Sequence, residues 1–252
     1  MIARYGFWNN QKYSLEKMTL RDLAGAYFRY YAIDAYIAIG VVSGIFAYIH
    51  ATSFWALVAA IAISLVSYPL IWYVLHRYVL HGQYPYKSKF TAKIWKRIHF
   101  DHHQDPHDLG VLFGALYTTL PTVFMVTAPV GWALDGPGGA AGAFSAGLFI
   151  TCFYEFAHCI QHLSYKPKSK ALELMKKRHM EHHFHDENGN YGITNFFWDR
   201  LLNTYYIKTD RPRKSPTVHN LGYTSGQAKK YPWVAEMSGE IGAEHPLKRS
   251  KA

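Results

Sequence analysis

The chain has 252 residues, half of them hydrophobic and 17% charged, with 27 Lys and Arg against 17 Asp and Glu for a formal net charge of +10. That length suits one large domain or two small ones, and the two cysteines, Cys152 and Cys159, lie in or near apolar sequence and do not indicate a disulfide scaffold. The basic balance would suit nucleic acid or an anionic membrane surface, and long uncharged runs decide for the membrane and against nucleic acid.

Residues 1–29 read as a polar, aromatic-rich interfacial segment with a helix starting near Met18, Thr19 as its cap and Asp22 three residues on. No signal peptide is expected ahead of it, since no early apolar run with a small-residue cleavage site is present. From Tyr30 to His50 the only charge is Asp34, and from Phe54 to Leu75 there is none. Each run is long enough for the ~20 residues that cross a bilayer, and the short Ala51-Thr52-Ser53 break makes them a helical hairpin over 30–75. Pro69 is expected to kink the second helix.

Residues 76–108 are polar and basic. A second hairpin follows over 109–162: Gly110 to Leu134 is uncharged, Asp135-Gly-Pro-Gly-Gly supplies a turn, and a run rich in small residues that suit close helix packing resumes at Ala140. Residues 163–206 form a polar segment, and 207–252 read as a loop-like tail. All Lys and Arg fall in residues 1–29, in 76–108 or after 163, while the hairpin turns carry none. The positive-inside rule then puts both termini and the polar segments on the cytoplasmic side. The expected fold is an all-α integral membrane protein with four transmembrane helices in two hairpins and a cytosolic helical cap.

Ten histidines fall into four clusters beside these runs: His76 and His81; His99, His102 and His103; His158 and His162; His179, His182 and His183. Three clusters use i, i+3 or i, i+4 spacing, which sets rings on one helix face. The first is i, i+5, which on an ideal α-helix splays the rings, so it lies at a fraying helix end or serves two different ions. Imidazole is a common ligand of Zn, Fe, Cu and Ni, and ten rings exceed the needs of one ion, so two metals are implied. His50, His107, His185, His219 and His245 lie outside the pattern and read as ordinary polar residues.

The spacings H-x4-H, H-x2-H-H, H-x3-H and H-x2-H-H, in that order, resemble the fatty acid hydroxylase/sterol desaturase superfamily of membrane histidine-box diiron proteins. Asp105-Pro-His-Asp108, Tyr154-Glu155, Tyr191-Gly-Ile-Thr and Trp198-Asp199 with Thr204 are similar to its fatty acid 2-hydroxylases. The resemblance covers about residues 70–206. It implies that the ten histidines hold two iron ions in the cap, that zinc replaces them in some preparations, and that the chemistry is O2-dependent hydroxylation of a lipid acyl chain. Glu155 stands where the eukaryotic relatives have Asp. The cytochrome b5 domain of those relatives is not expected in this chain, and a separate cytochrome b5-like or ferredoxin-like donor is expected instead.

Neutral ligands leave the metal charge uncancelled, so acceptors for each ring's other N–H matter; Asp101, Glu155, Glu181 and Asp199 are the candidates. Glu155, among apolar residues, is favoured for a role because an unpaired carboxylate there is costly. Tyr117, Phe113, Phe196, Phe197 and Trp198 are candidates for lining a lipid entry. Lys166, Lys168, Lys170, Lys176, Lys177 and Arg178 are candidates for an anionic head group. Metals near head-group level favour attack at carbon 2, in a bacterial inner membrane or, alternatively, the endoplasmic reticulum. Rival readings are oxidation of a sterol, carotenoid or lipid head group, and a zinc-dependent membrane hydrolase. The hydrolase is disfavoured because hydrolytic zinc uses about three protein ligands.

Overall fold

A computed structural model describes residues 13–239. Its helices are α1 Leu20–Tyr27, α2 Tyr31–His50, α3 Phe54–Val74, α4 Lys89–Trp95, α5 Asp101–Gln104, α6 Leu109–Leu112, α7 Leu116–His162, α8 Lys170–Phe184, α9 Phe197–Leu201, α10 Ser225–Lys230 and α11 Trp233–Ser238. Among the described residues there is no β-sheet. The chain divides into two compact units.

The first unit contains Leu20–Trp72 and Gly114–His158. Among the described residues three helical stretches are long and apolar enough to cross a membrane: Tyr31–His50, Phe54–Lys87 and Leu109–His162. The third is not one rod. Backbone angles at Asp135 (φ −149°, ψ 36°) and Gly136 (φ 53°, ψ −141°) leave the helical region and break α7 into two arms. The arms fold back on each other, since Phe124 and Phe144 meet edge to face at 5.2 Å and a Cβ on Gly147 would touch Val123. The turn expected at Asp135-Gly-Pro-Gly-Gly is therefore present, inside what hydrogen bonding alone traces as one 47-residue helix.

Small residues set the packing of this unit. Gly40 and Gly44 of α2 approach Phe149 and Ser145 of the second arm, whose Ser145 hydroxyl donates to Gly40 O at 2.7 Å. Gly131 and Gly139 bring the two arms so close at the turn that a Cβ on either would strike the other's backbone. Asp135, buried, accepts from the backbone N–H groups of Thr52 and Ser53 at 3.1 and 3.2 Å and from the Thr52 hydroxyl, tying the two hairpin turns together. Outward, Val42, Tyr48, Trp55, Val66 and Met125 are each more than 60% exposed. A surface this apolar, with backbone groups satisfied inside helices, suits lipid.

Among the described residues the second unit holds 13–19, Tyr73–Phe113 and 159–239. The tail is not a loop throughout: α10 and α11 follow Tyr223, and Leu221, Tyr223 and Val234 join Tyr86, Ala92, Trp95 and Phe100 in one buried core. Periodicity could not reveal this, because each tail helix has only six residues, of which α10 buries none and α11 only Val234. Lys248 to Ala252 and His245 lie outside the described residues.

Candidate metal centre

The polar segment after α3 does not fray. Leu75–Leu80 winds as a π-helix, with His81 N–H donating to His76 O at 3.0 Å. The i→i+5 repeat stacks residues five apart, so His76 and His81 meet at 4.9 Å between ring centres, an outcome α-helical geometry alone did not anticipate. A second π segment, Lys96–Phe100, delivers His99 and runs into α5 with His102 and His103. Helix α8 presents His179, His182 and His183 from its last turns.

These helices gather His76, His81, His99, His103 and His182 into one group whose donor atoms all lie within 4.8 Å of one another. His102, His162, His179 and His183 form another under the same limit. The groups adjoin, with ring centres of His103 and His183 4.3 Å apart. His158 is buried one turn before His162 on α7, and i, i+4 spacing sets it on the same helix face.

The donor set fits cations. His81 Nε2 lies 3.2 Å from His76 Nε2 and 2.8 Å from His99 Nε2, and His162 Nε2 lies 2.9 Å from His179 Nε2. Nitrogens bound at ~2.1 Å and at right angles about one ion would stand ~3 Å apart, the spacing seen. Both ring nitrogens of His183 are buried without a hydrogen bond, an expensive arrangement unless something else is bound. Burial, then the neighbouring rings, holds His99 and His183 well below the ordinary imidazole pKa, so they stay neutral and their lone pairs stay available.

Backbone carbonyls orient three rings. Nδ1–H donates to Tyr191 O from His76 at 2.6 Å, to Val218 O from His103 at 3.0 Å and to Gly189 O from His182 at 2.7 Å. A carbonyl only accepts, so each bond fixes the tautomer and puts the ring's lone pair on Nε2, the atom that would face an ion. The loop that supplies two of these carbonyls is itself held. Asn190, at φ 54°, bonds Tyr206 through its side chain, and Asp199 accepts from Tyr191 N–H and Gly192 N–H at 2.8 Å each and from the Thr204 hydroxyl at 2.8 Å.

The four candidate acids make distinct contacts. Asp101 pairs with Lys96 at 2.6 Å, and buried Glu181 pairs with Arg178. Asp199 works through the loop it holds. Glu155, in the first unit, is buried and accepts from Gly114 N–H at 3.1 Å. Of the aromatic candidates, Phe113 and Phe196 are buried, whereas Tyr117 and Phe197 are more than half exposed. Lys176 is spent on the carbonyls of Leu163 and Tyr165, and Arg178 on Glu181 and Tyr205, so Lys166, Lys168, Lys170 and Lys177 remain exposed for an anion.

Two histidines outside the pattern are structural rather than ordinary surface groups. His107 Nδ1–H donates to His162 O at 3.0 Å, and buried His185 donates to Arg211 O at 2.5 Å. Neither sits at metal-ligand spacing, and a bond to a distant carbonyl leaves no trace in sequence.

An all-helical fold with two adjoining imidazole groups defines a membrane metalloprotein. A family model described as Fatty acid hydroxylase matches residues 57–204, more than half of the chain, and the chain belongs to that family. It is 29% identical over 149 residues to dihydroceramide fatty acyl 2-hydroxylase FAH2 of Arabidopsis thaliana, covering 57% of this chain and 59% of that one. It is 26% identical over 153 residues to fatty acid 2-hydroxylase of Rattus norvegicus, covering 60% and 40%. It is 28% identical over 173 residues to ceramide very long chain fatty acid hydroxylase scs7 of Schizosaccharomyces pombe, covering 66% and 45%. The chain thus spans about half the length of these relatives. Its fold is similar to the hydroxylase domain seen in full-length scs7p, with a TM-score of 0.59, 23% identity, and coverage of 83% of this chain and 73% of that one.

Proposed function

We propose that this protein hydroxylates a lipid acyl chain with O2, at carbon 2 of a head-group-bound chain, using two iron ions. The observation that carries the reading is the pair of adjoining histidine groups in a chain whose relatives are named acyl 2-hydroxylases. His76, His81, His99, His103 and His182 would hold one ion; His102, His158, His162, His179 and His183 would hold the other. Bound there, redox-active ions would supply the O2 activation that hydroxylation of a methylene needs. The chain's own part is to present neutral Nε2 lone pairs, lock tautomers through Tyr191, Val218 and Gly189, and keep the site dry. Glu155 is assigned to holding the backbone at Gly114 in place. Reducing power comes from a separate cytochrome b5-like or ferredoxin-like protein.

In this reading the two arms of α7 join α2 and α3 as four spans, with the histidine unit and both termini on the cytoplasmic side of a bacterial inner membrane. Reporters fused at Thr52 or Gly138 should then be non-cytoplasmic and one at Lys230 cytoplasmic; the reverse pattern overturns the orientation. Lipid mass spectrometry after expression in a host lacking hydroxy lipids tests the reaction. One added oxygen at carbon 2, lost in His99→Ala and His179→Ala, is expected. Hydroxyl on the methyl end, a sphingoid base or a head group, with carbon 2 unmodified, contradicts the assignment.

A further inference from the structure

We infer that the tail segment 215–223, beyond the family match, is a strap that selectively completes the metal group of His76, His81, His99, His103 and His182. The inference rests on the metal reading above and concerns residues that it does not use. Three observations converge on this segment.

The first is contact with the ligand helix. Val218 O accepts from His103 Nδ1–H at 3.0 Å, and the next carbonyl, His219 O, accepts from Gln104 Nε2 at 2.5 Å. Two consecutive strap carbonyls thus grip two consecutive residues of α5, and one of these bonds decides which nitrogen of His103 faces the metal. His219 takes part through its carbonyl, so its ring identity is incidental.

The second is anchorage at both ends. Ser215 N–H donates to His185 O at 2.8 Å and the Thr217 hydroxyl donates to buried Glu187, fixing the strap to the segment just after α8. At the other end Tyr223, wholly buried, packs on Tyr86 at 5.2 Å and Phe100 at 5.9 Å, and its hydroxyl donates to Tyr231 O at 2.6 Å. Phe100 directly follows His99, so this anchor also braces the π turn that delivers a second ligand of the same group.

The third is backbone strain. Leu221 has φ 52°, a left-handed conformation costly for a branched side chain, yet it is only 3% exposed. Gly222 follows at φ 78°, with Gln83 packed where a Cβ would stand. Such a bend persists only where its surroundings over-determine it, and here it swings the chain from the carbonyls on α5 to the pocket for Tyr223.

The strap's bond to a ring nitrogen reaches His103, a member of the first group. Loosening it should therefore weaken one ion and spare the other. The test compares the wild-type chain with Gln104→Leu/Thr217→Val, with the conservative Thr217→Ser, and with Tyr223→Phe, each purified in detergent and titrated with Fe(II) and with Co(II) against a chelator. Circular dichroism and size exclusion confirm that each variant is folded. In Gln104→Leu/Thr217→Val the affinity of one of the two sites should fall about 10- to 100-fold, the range for loss of groups that orient a ligand. Adding His179→Ala to this pair should remove the remaining high-affinity site, whereas adding His99→Ala should not. Thr217→Ser should bind as wild type, and Tyr223→Phe should weaken the same site as the pair. Two unchanged affinities in a folded pair variant, or equal weakening of both sites, overturns the strap. A wild-type chain that takes up no metal overturns the metal reading itself and this inference with it.

Discussion

Asp199 concentrates the logic of the site in one residue. It is fully buried, yet its carboxylate is matched by Tyr191 N–H, Gly192 N–H and the Thr204 hydroxyl, and the carbonyl of that same Tyr191 accepts from His76. Asp199→Ala strands two buried donors and is expected to cost on the order of 3 kcal/mol of stability and to loosen the ion nearest His76. Denaturant unfolding alongside metal titration checks both effects, and a variant with wild-type values for each contradicts the role. Residues such as Asp199 were legible in the sequence as candidates because a carboxylate near histidines is a known acceptor type. Val218, Gly189 and Tyr191 were not, since they act through backbone carbonyls that every residue possesses. For Asp101 and Glu181 the sequence shows the acid but not the Lys96 or Arg178 that pairs with it.

At the level of elements, hydrophobic length placed α2 and α3 to within a residue or two, because an uncharged run long enough for the bilayer leaves little freedom. The second hairpin was legible from Asp135-Gly-Pro-Gly-Gly, where Gly136 adopts φ 53°. The two π segments were not, since nothing in Leu75–Leu80 or Lys96–Phe100 departs from ordinary helical composition. Only the i, i+5 spacing of His76 and His81 hinted at one. The glycines at the turn differ in what they tolerate. A Cβ at Gly136 meets open space, so Gly136→Ala costs only the backbone strain of φ 53°, ψ −141°, on the order of 1–3 kcal/mol. A Cβ at Gly139 meets Gly131 O and Asp135, so Gly139→Val should force the arms apart and sharply reduce the yield of folded protein in detergent. Fluorescence-detected size exclusion separates the outcomes, and equal yields for the two variants would mean the arms are not closely apposed.

The molecule as a whole divides its labour between an apolar helical unit with an exposed lipophilic surface and a polar unit in which most of the buried charge-capable groups are histidines. The membrane character follows from composition alone, as does the number of ions implied. The grouping of rings does not, because it takes partners from four separate clusters, and His102 and His103, adjacent in sequence, go to different groups. Adjacent residues on a helix point about 100° apart, so a His-His pair naturally serves two ions. The described part of the tail, up to residue 239, extends this unit past the family match, with buried Val218 and Tyr223 integral to it. The central claim is that the histidine groups insert oxygen from O2 into an acyl chain rather than hydrolysing a lipid. The most direct test supplies the protein, its reductant and a membrane lipid with isotopically labelled dioxygen in unlabelled water. The account predicts one labelled oxygen in the new acyl hydroxyl; an unlabelled product, or one whose added oxygen derives from labelled water in the converse experiment, contradicts it.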